Sequence, residues 1–143
     1  MARILGAMKH LLAIASFALA SCASVTHEQW KLDQTWAGEV HPGVMSTLAF
    51  DLDGSARWSF ELPAGSEVYE LKYELKRESS GPAHLDFTGF TQGPFAGKTL
   101  YGIAEWDEKT LRLDANPGDS GKGGDSVRPQ TFSDQTRVFK RVH

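Results

Sequence analysis

The chain of 143 residues contains a single cysteine, Cys22. One cysteine excludes an intrachain disulfide framework and a zinc site built from several thiolates. Beyond the first 21 residues, no apolar stretch approaches the about 20 residues that a membrane-spanning helix requires. The sequence also lacks any cluster of lysine and arginine. A membrane attachment of this chain must therefore come through Cys22.

The charge balance argues against a nucleic-acid partner. The chain has 15 Lys and Arg against 18 Asp and Glu, and two of the cations, Arg3 and Lys9, fall within the first 21 residues, which carry no acids. The rest of the chain thus keeps 13 cations against 18 acids, a net charge near −5. Lys and Arg that neutralise phosphates supply most non-specific affinity for nucleic acid. We expect one acidic domain that acts as a monomer.

The N-terminal segment has the order of an export signal. A short apolar run, 11–19, follows the two cations Arg3 and Lys9 and is closed by the tetrapeptide Leu-Ala-Ser-Cys, which ends at Cys22. This tetrapeptide resembles the bacterial lipobox, in which the cysteine is acylated and becomes the new N-terminus. It predicts a lipoprotein signal peptide over 1–21, a lipid-anchored protein of the cell envelope and, in a Gram-negative bacterium, an outer-membrane location facing the periplasm. The alternative is an ordinary secretory signal with an incidental cysteine.

From Trp36 onward the dominant period of the apolar residues is two. Trp58, Phe60 and Leu62, for example, are separated by polar side chains. Strict alternation is typical of half-buried antiparallel strands with one dry and one wet face. Residues 22–31 are polar and are predicted to be a tether. The runs predict eight strands, at 33–41, 45–53, 56–62, 67–77, 83–89, 98–106, 109–115 and 135–142.

Turn signals separate these runs, among them Asp53-Gly54, which suits a tight hairpin. Short strands with regular turns and no long helical pattern indicate a β-sandwich or a β-barrel. A barrel is favoured because closure removes exposed sheet edges. We therefore predict an all-β fold, a small antiparallel barrel of about eight strands over 32–143, with the glycine-rich segment 117–127 as a flexible loop.

Short motifs that imitate catalytic or metal sites lack the structural setting that they need. Asp51 and Asp53 resemble a phosphatase nucleophile motif, but an alternating strand resumes at once, whereas that chemistry needs a parallel strand end and Mg²⁺. Ser120 lies in a protease-like Gly-Asp-Ser-Gly segment, in a chain too short for a two-barrel protease. Oxygen-bearing residues over 114–119 break the EF-hand pattern for Ca²⁺. We expect no enzyme, no cofactor and no metal site.

The aromatic residues are the better indication of function. An eight-stranded barrel is either filled by its own side chains or holds one small ligand. The sequence leaves both alternatives open: a barrel that binds a small apolar ligand or an envelope partner, and a structural or interaction domain whose filled interior binds no ligand. The candidate pocket residues, all on faces predicted to point inward, are Trp58, Phe60, Tyr69, Tyr73, Phe87 and Trp106.

A series of motifs runs in order through the second half of the chain, with Thr35-Trp36 at the opening: Pro82, Leu85-Asp86, Gly97-Lys98-Thr99, Gly102-Ile103, Glu105, Thr110-Leu111-Arg112-Leu113, Arg128-Pro129, Phe132 and Lys140-Arg141. Together they resemble a family of bacterial lipocalin-like domains of uncharacterised function, abundant in planctomycetes. Gln34 stands where the usual opening has glycine. The resemblance implies an up-and-down lipocalin-like barrel, closed where Arg141 packs over Trp36, and implies no established activity.

Overall fold

The computed structural model describes residues 32–121 and 124–143. They form one closed antiparallel barrel of eight strands and, in this part of the chain, one short helix, α1 (Gly124–Val127). Among the described residues, no helix is long and apolar enough to cross a membrane. The strands are β1 (Thr35–His41), β2 (Val44–Phe50), β3 (Ser55–Leu62), β4 (Gly65–Lys76), β5 (Ala83–Thr88), β6 (Lys98–Trp106), β7 (Thr110–Asp119) and β8 (Arg137–Arg141).

The topology is up-and-down, because each strand pairs with the next one in sequence. The barrel closes where β8 pairs with β1, with Trp36 opposite Arg141 and Ala37 opposite Lys140. The predicted all-β class, the strand number and the closure are thereby confirmed. The strand bounds follow the alternating runs closely because one face of each strand is buried and the other is wet.

The eight strands give the barrel two unlike ends. We call one end the mouth; it carries the loops 42–43, 63–64, 89–97 and 120–136. The other, the closed end, carries the loops 51–54, 77–82 and 107–109, together with the chain segments before β1 and after β8.

The closed half of the barrel is filled by large side chains. Trp36 is fully buried there, and its Nε1 donates a hydrogen bond of 3.2 Å to the carbonyl of Leu32. Deeper in the barrel, the ring of Phe50 lies 5.0 Å from Tyr73, edge-on, and 6.0 Å from Phe87. Aromatic side chains bury roughly 150–250 Å² each, so this half offers no room for a ligand.

The predicted flexible loop over 117–127 is wrong in its first part. Pro117 and Gly118 look like loop residues because proline has no N–H to donate and glycine has no side chain to pack. The partner strand nevertheless extends β7 to Asp119, which lies opposite Lys98. The Lys98 ammonium lies 2.7 Å from the Asp119 carboxylate and fastens this strand end.

The segment that follows β7 is fastened to the outside of the barrel. Arg128 is buried against β5 and β6, where its Nη2 donates to Asp86 at 3.0 Å and its Nη1 donates to the carbonyl of Gly102 at 2.7 Å. The guanidinium also lies 5.6 Å from the ring of Tyr101. Buried charged pairs with further hydrogen bonds fix geometry, and this one positions the segment that leads into β8.

Candidate functional site

A cavity of about 470 Å³ lies inside the mouth of the barrel. Its wall is formed by inward-facing residues of β3, β4, β6 and β7, by the start of β8 and by the loop 89–97. Cavities of about 300–1,000 Å³ are typical of small-molecule sites. The half of the barrel at the mouth is therefore open, whereas the half at the closed end is packed.

One wall of the cavity is a continuous series of aromatic rings. Phe60 stacks on Trp58 at 5.4 Å and meets Tyr69 edge-on at 5.9 Å. Phe90 and Phe95 of the loop 89–97 extend the series, with centroid distances of 5.7 Å from Tyr69 to Phe90 and 5.5 Å from Phe90 to Phe95. These rings offer a ligand an apolar surface in place of water.

The indole of Trp58 separates the cavity from the packed half. Its Nε1 donates to the hydroxyl of Ser46 at 2.6 Å, so the one polar atom of the ring is satisfied inside the barrel. Beneath it, Phe87 lies 5.4 Å away and Phe139 6.5 Å away. Packing on one face and hydrogen bonding at the edge fix this ring, and the floor of the cavity is thus rigid.

Arg137 brings a positive charge into this apolar site. It lies opposite the inward-facing Leu113 and shares a strand face with Phe139, so its side chain enters the barrel. The guanidinium carbon lies 5.8 Å from the Trp58 ring. Burial lowers the pKa of Arg137, while the nearby Asp114 carboxylate acts in the opposite direction. The guanidinium stays charged because arginine does not deprotonate in proteins.

The rim of the cavity carries a hydrogen bond between a phenol and a carboxylate. The hydroxyl of Tyr69 donates to Glu67 Oε2 at 2.9 Å. Burial and the Glu67 carboxylate both raise the pKa of Tyr69, so the phenol stays protonated and neutral at physiological pH. His41 also lines the rim.

The structure brings together three of the six predicted pocket residues. Trp58, Phe60 and Tyr69 line the cavity. Tyr73 and Phe87 point inward as predicted but lie in the packed half, where Tyr73 donates its hydroxyl to the carbonyl of Asp51 at 2.7 Å. The alternation of a strand tells which face a side chain takes but not how deep it lies along the barrel.

Trp106 also lies away from the cavity. It ends β6 at the closed end of the barrel and is only half-buried. The Arg77 guanidinium lies 5.6 Å from its ring, a cation–π distance. Trp106 therefore belongs to the outer part of the closed end.

The residues predicted to close the barrel lie side by side. Trp36 and Arg141 are direct partners in the pairing of β1 with β8. The Arg141 side chain reaches the loop between β6 and β7, where Nη1 donates to the carbonyl of Glu108 at 3.5 Å. In the described residues, the guanidinium–ring contacts involve four other arginines: Arg77, Arg112, Arg128 and Arg137.

The motifs that imitate catalysis are distributed over separate places. Asp51 and Asp53 lie in the hairpin between β2 and β3 at the closed end, far from the mouth. Asp114 accepts hydrogen bonds from Ser133 and Thr136, and Ser120 donates to the carbonyl of Gly97. Within residues 32–121 and 124–143, no three His, Cys, Asp or Glu side chains are grouped as a metal site would require.

Cys22, the predicted signal peptide over 1–21 and the tether over 22–31 lie outside the described residues. The structure therefore leaves the lipid attachment as a prediction.

Two parts of the site are not evident from the sequence pattern. Arginine is normally exposed, so Arg137 is not a candidate for the interior by residue type; its spacing of two from Phe139 is the signal that places it on the inward face. Phe90 and Phe95 lie in a loop, where alternation gives no signal; the backbone hydrogen bond from Gly97 to Phe90, 3.0 Å, holds that loop over the cavity.

No protein-family model matches the chain, and the searches of curated proteins and of solved structures found no match either. The resemblance to lipocalin-like domains therefore stays a prediction, and the function has to be argued from the cavity.

Proposed function

We propose that this protein is a lipocalin-like binding protein of the cell envelope that holds a small apolar ligand in the mouth of its barrel. The observation that carries the proposal is the cavity of about 470 Å³ beside the aromatic wall. Apolar surface that stays open to water is unfavourable unless something covers it, at roughly 25 cal/mol per Å². A ligand would recover that free energy for the part of the aromatic wall that is still exposed, chiefly on Phe60 and Phe95, because Trp58, Tyr69 and Phe90 are already buried.

The two halves of the barrel favour different alternatives. The packed half around Trp36 and Phe87 is what a purely structural domain would have throughout. The open half above Trp58 favours a ligand, because five large rings there surround a space that shorter loops could have closed. We propose binding, not catalysis, since the polar groups at the rim form no pairing of nucleophile and base.

A cavity-filling substitution tests the proposal. Ala115 lines the cavity from β7, so Ala115→Phe should occupy the space that a ligand needs. We expect the affinity for decanol, an uncharged probe, to fall by about tenfold or more, which corresponds to about 1.4 kcal/mol per factor of ten. Isothermal titration calorimetry measures it.

The matched control is Ala49→Phe, on the β2 face that points away from the barrel interior. It adds the same ring and should leave decanol binding unchanged. Equal binding by the wild type and both variants would place the bound decanol elsewhere and contradict the proposal. Native mass spectrometry of the full protein, purified from its own envelope, should also show a co-purifying small molecule.

A further inference from the structure

Arg137 is the one arginine that enters the cavity among the described residues. Comparable arginines on the outer face are paired with carboxylates. Arg57 lies 2.7 Å from Glu70, and Arg112 lies 3.4 Å from Glu105. Arg128, the most buried of them, is paired with Asp86. The interior cation thus differs from these three arginines in its surroundings.

In the described part of the chain, the guanidinium of Arg137 has no hydrogen bond and no carboxylate within 4.0 Å. Its direct partner is the face of Trp58, 5.8 Å from the ring centroid. Arg137 is half-buried, so its charge has lost part of its contact with water without gaining a hydrogen-bonded partner in the protein, a combination that proteins normally avoid by pairing the charge. Because Arg137 lies in a cavity large enough for a small molecule, a bound anionic ligand could supply the counter-ion that the protein does not.

The two acidic groups that line the cavity both accept hydrogen bonds from hydroxyl groups, although the Asp114 carboxylate also attracts Arg137 at longer range. Asp114 accepts hydrogen bonds from the hydroxyls of Ser133 at 3.0 Å and Thr136 at 3.3 Å. Glu67 accepts a hydrogen bond from the Tyr69 hydroxyl at the rim. His41, the remaining titratable group of the lining, is exposed at the end of β1. Arg137 offers one positive charge, and the Glu67 carboxylate at the rim would repel further negative charge. The cavity therefore favours a head group with a single negative charge.

We infer that the ligand is an amphiphile with an apolar chain and a carboxylate head, the chain lying on the aromatic wall and the carboxylate on Arg137. This inference rests on the proposed binding function and names its ligand class. The planar guanidinium presents two parallel N–H donors that match the two oxygens of a carboxylate. The guanidinium of Arg137 lies over the Trp58 ring, whose edge accepts no N–H hydrogen bond. The N–H groups that point into the cavity would therefore be available to the ligand.

The test compares decanoate with decanol on the full protein by calorimetry at pH 7. We expect the wild type to bind decanoate about tenfold or more tightly than decanol, because hydrogen bonds to charged groups are stronger than neutral ones. Arg137→Gln should remove this preference while leaving the affinity for decanol within about twofold. Arg137→Lys should keep part of the preference, since it keeps the charge and loses the planar fork.

Arg57→Gln is the matched control, because it removes the same charge from the outer surface. It should retain the full preference for decanoate, whereas a loss there would point to non-specific charge attraction and overturn the inference. Decanol bound as tightly as decanoate by the wild type would also overturn it and leave the apolar-ligand proposal intact. Absence of binding by both compounds would contradict both. Tighter binding of decyl phosphate than of decanoate would overturn the carboxylate assignment.

Discussion

At the scale of single residues, the hairpin between β2 and β3 shows how local chemistry sets the fold. The amide of Asp51 donates to the carbonyl of Ser55 at 2.9 Å, and Gly54 takes a φ of 90°. Asp53 Oδ1 accepts from the amide and the hydroxyl of Ser55, which lowers the pKa of the Asp53 carboxyl. The predicted turn is confirmed.

Gly54→Val should lower the free energy of unfolding by about 1–3 kcal/mol, because a β-branched residue is strained at positive φ. The space around Gly54 is open, with the nearest atom 3.9 Å from an added Cβ, so backbone strain and not crowding would cause the loss. Asp51→Asn, the matched exposed change, should stay within about 0.5 kcal/mol. Urea denaturation measures both. A Mg²⁺-dependent phosphatase activity that Asp51→Asn abolishes would contradict the assignment.

Residue periodicity predicted the inward faces of Trp58, Phe60 and Tyr69 from sequence alone. It could not predict which inward residues line a cavity, because depth depends on how far the barrel is filled from below. Arg137 shows a second limit: its inward position follows from the strand period, but its lack of a carboxylate partner is a property of the three-dimensional arrangement.

At the scale of elements, the junction of β1 and β8 depends on a close approach of two backbones. A Cβ added at Gly38 would come within 2.5 Å of the Val138 carbonyl oxygen. The amide of Val142 donates to Thr35 at 2.8 Å and continues the pairing. Closure of the barrel could be predicted from the need to remove strand edges. The role of Gly38 could not be predicted, because it depends on the close approach of β8 to this position.

Trp36→Ala should destabilise the barrel by about 3–5 kcal/mol, since it empties a fully buried site. Trp106→Ala is the control, because this tryptophan is only half-buried and should cost clearly less. Arg141→Ala should cost less, about 0.5–1.5 kcal/mol, because it removes the packing of the side-chain stem and the hydrogen bond to the Glu108 carbonyl. The double variant of Trp36 and Arg141 should lose less than the sum, as neighbouring residues do. Thermal and urea unfolding measure these losses, and strict additivity would show that the two side chains do not interact.

At the scale of the whole molecule, the predicted attachment to the membrane would depend on one atom, the sulfur of Cys22. If Cys22 is processed as the lipobox resemblance implies, it would carry two or more acyl chains, which anchor stably where a single chain binds only marginally. Cys22→Ser should therefore release the protein from the membrane fraction or leave it uncleaved, and fractionation with mass measurement detects either result. A serine variant that is processed and still sediments with membranes would contradict the lipid anchor.

The position at which the chain enters the barrel has a consequence for how a lipid-anchored form would be oriented. Because the chain enters β1 at the closed end, a lipid on Cys22 would attach the barrel by its plugged side. Thr35 lies thirteen positions after Cys22, a reach of at most about 45 Å when the chain is extended. If the closed end lies against the bilayer, the opening would therefore face away from it. A cargo molecule would be exchanged with the aqueous compartment, or with a second carrier arriving from it, and not drawn directly out of the lipid to which the protein is tied.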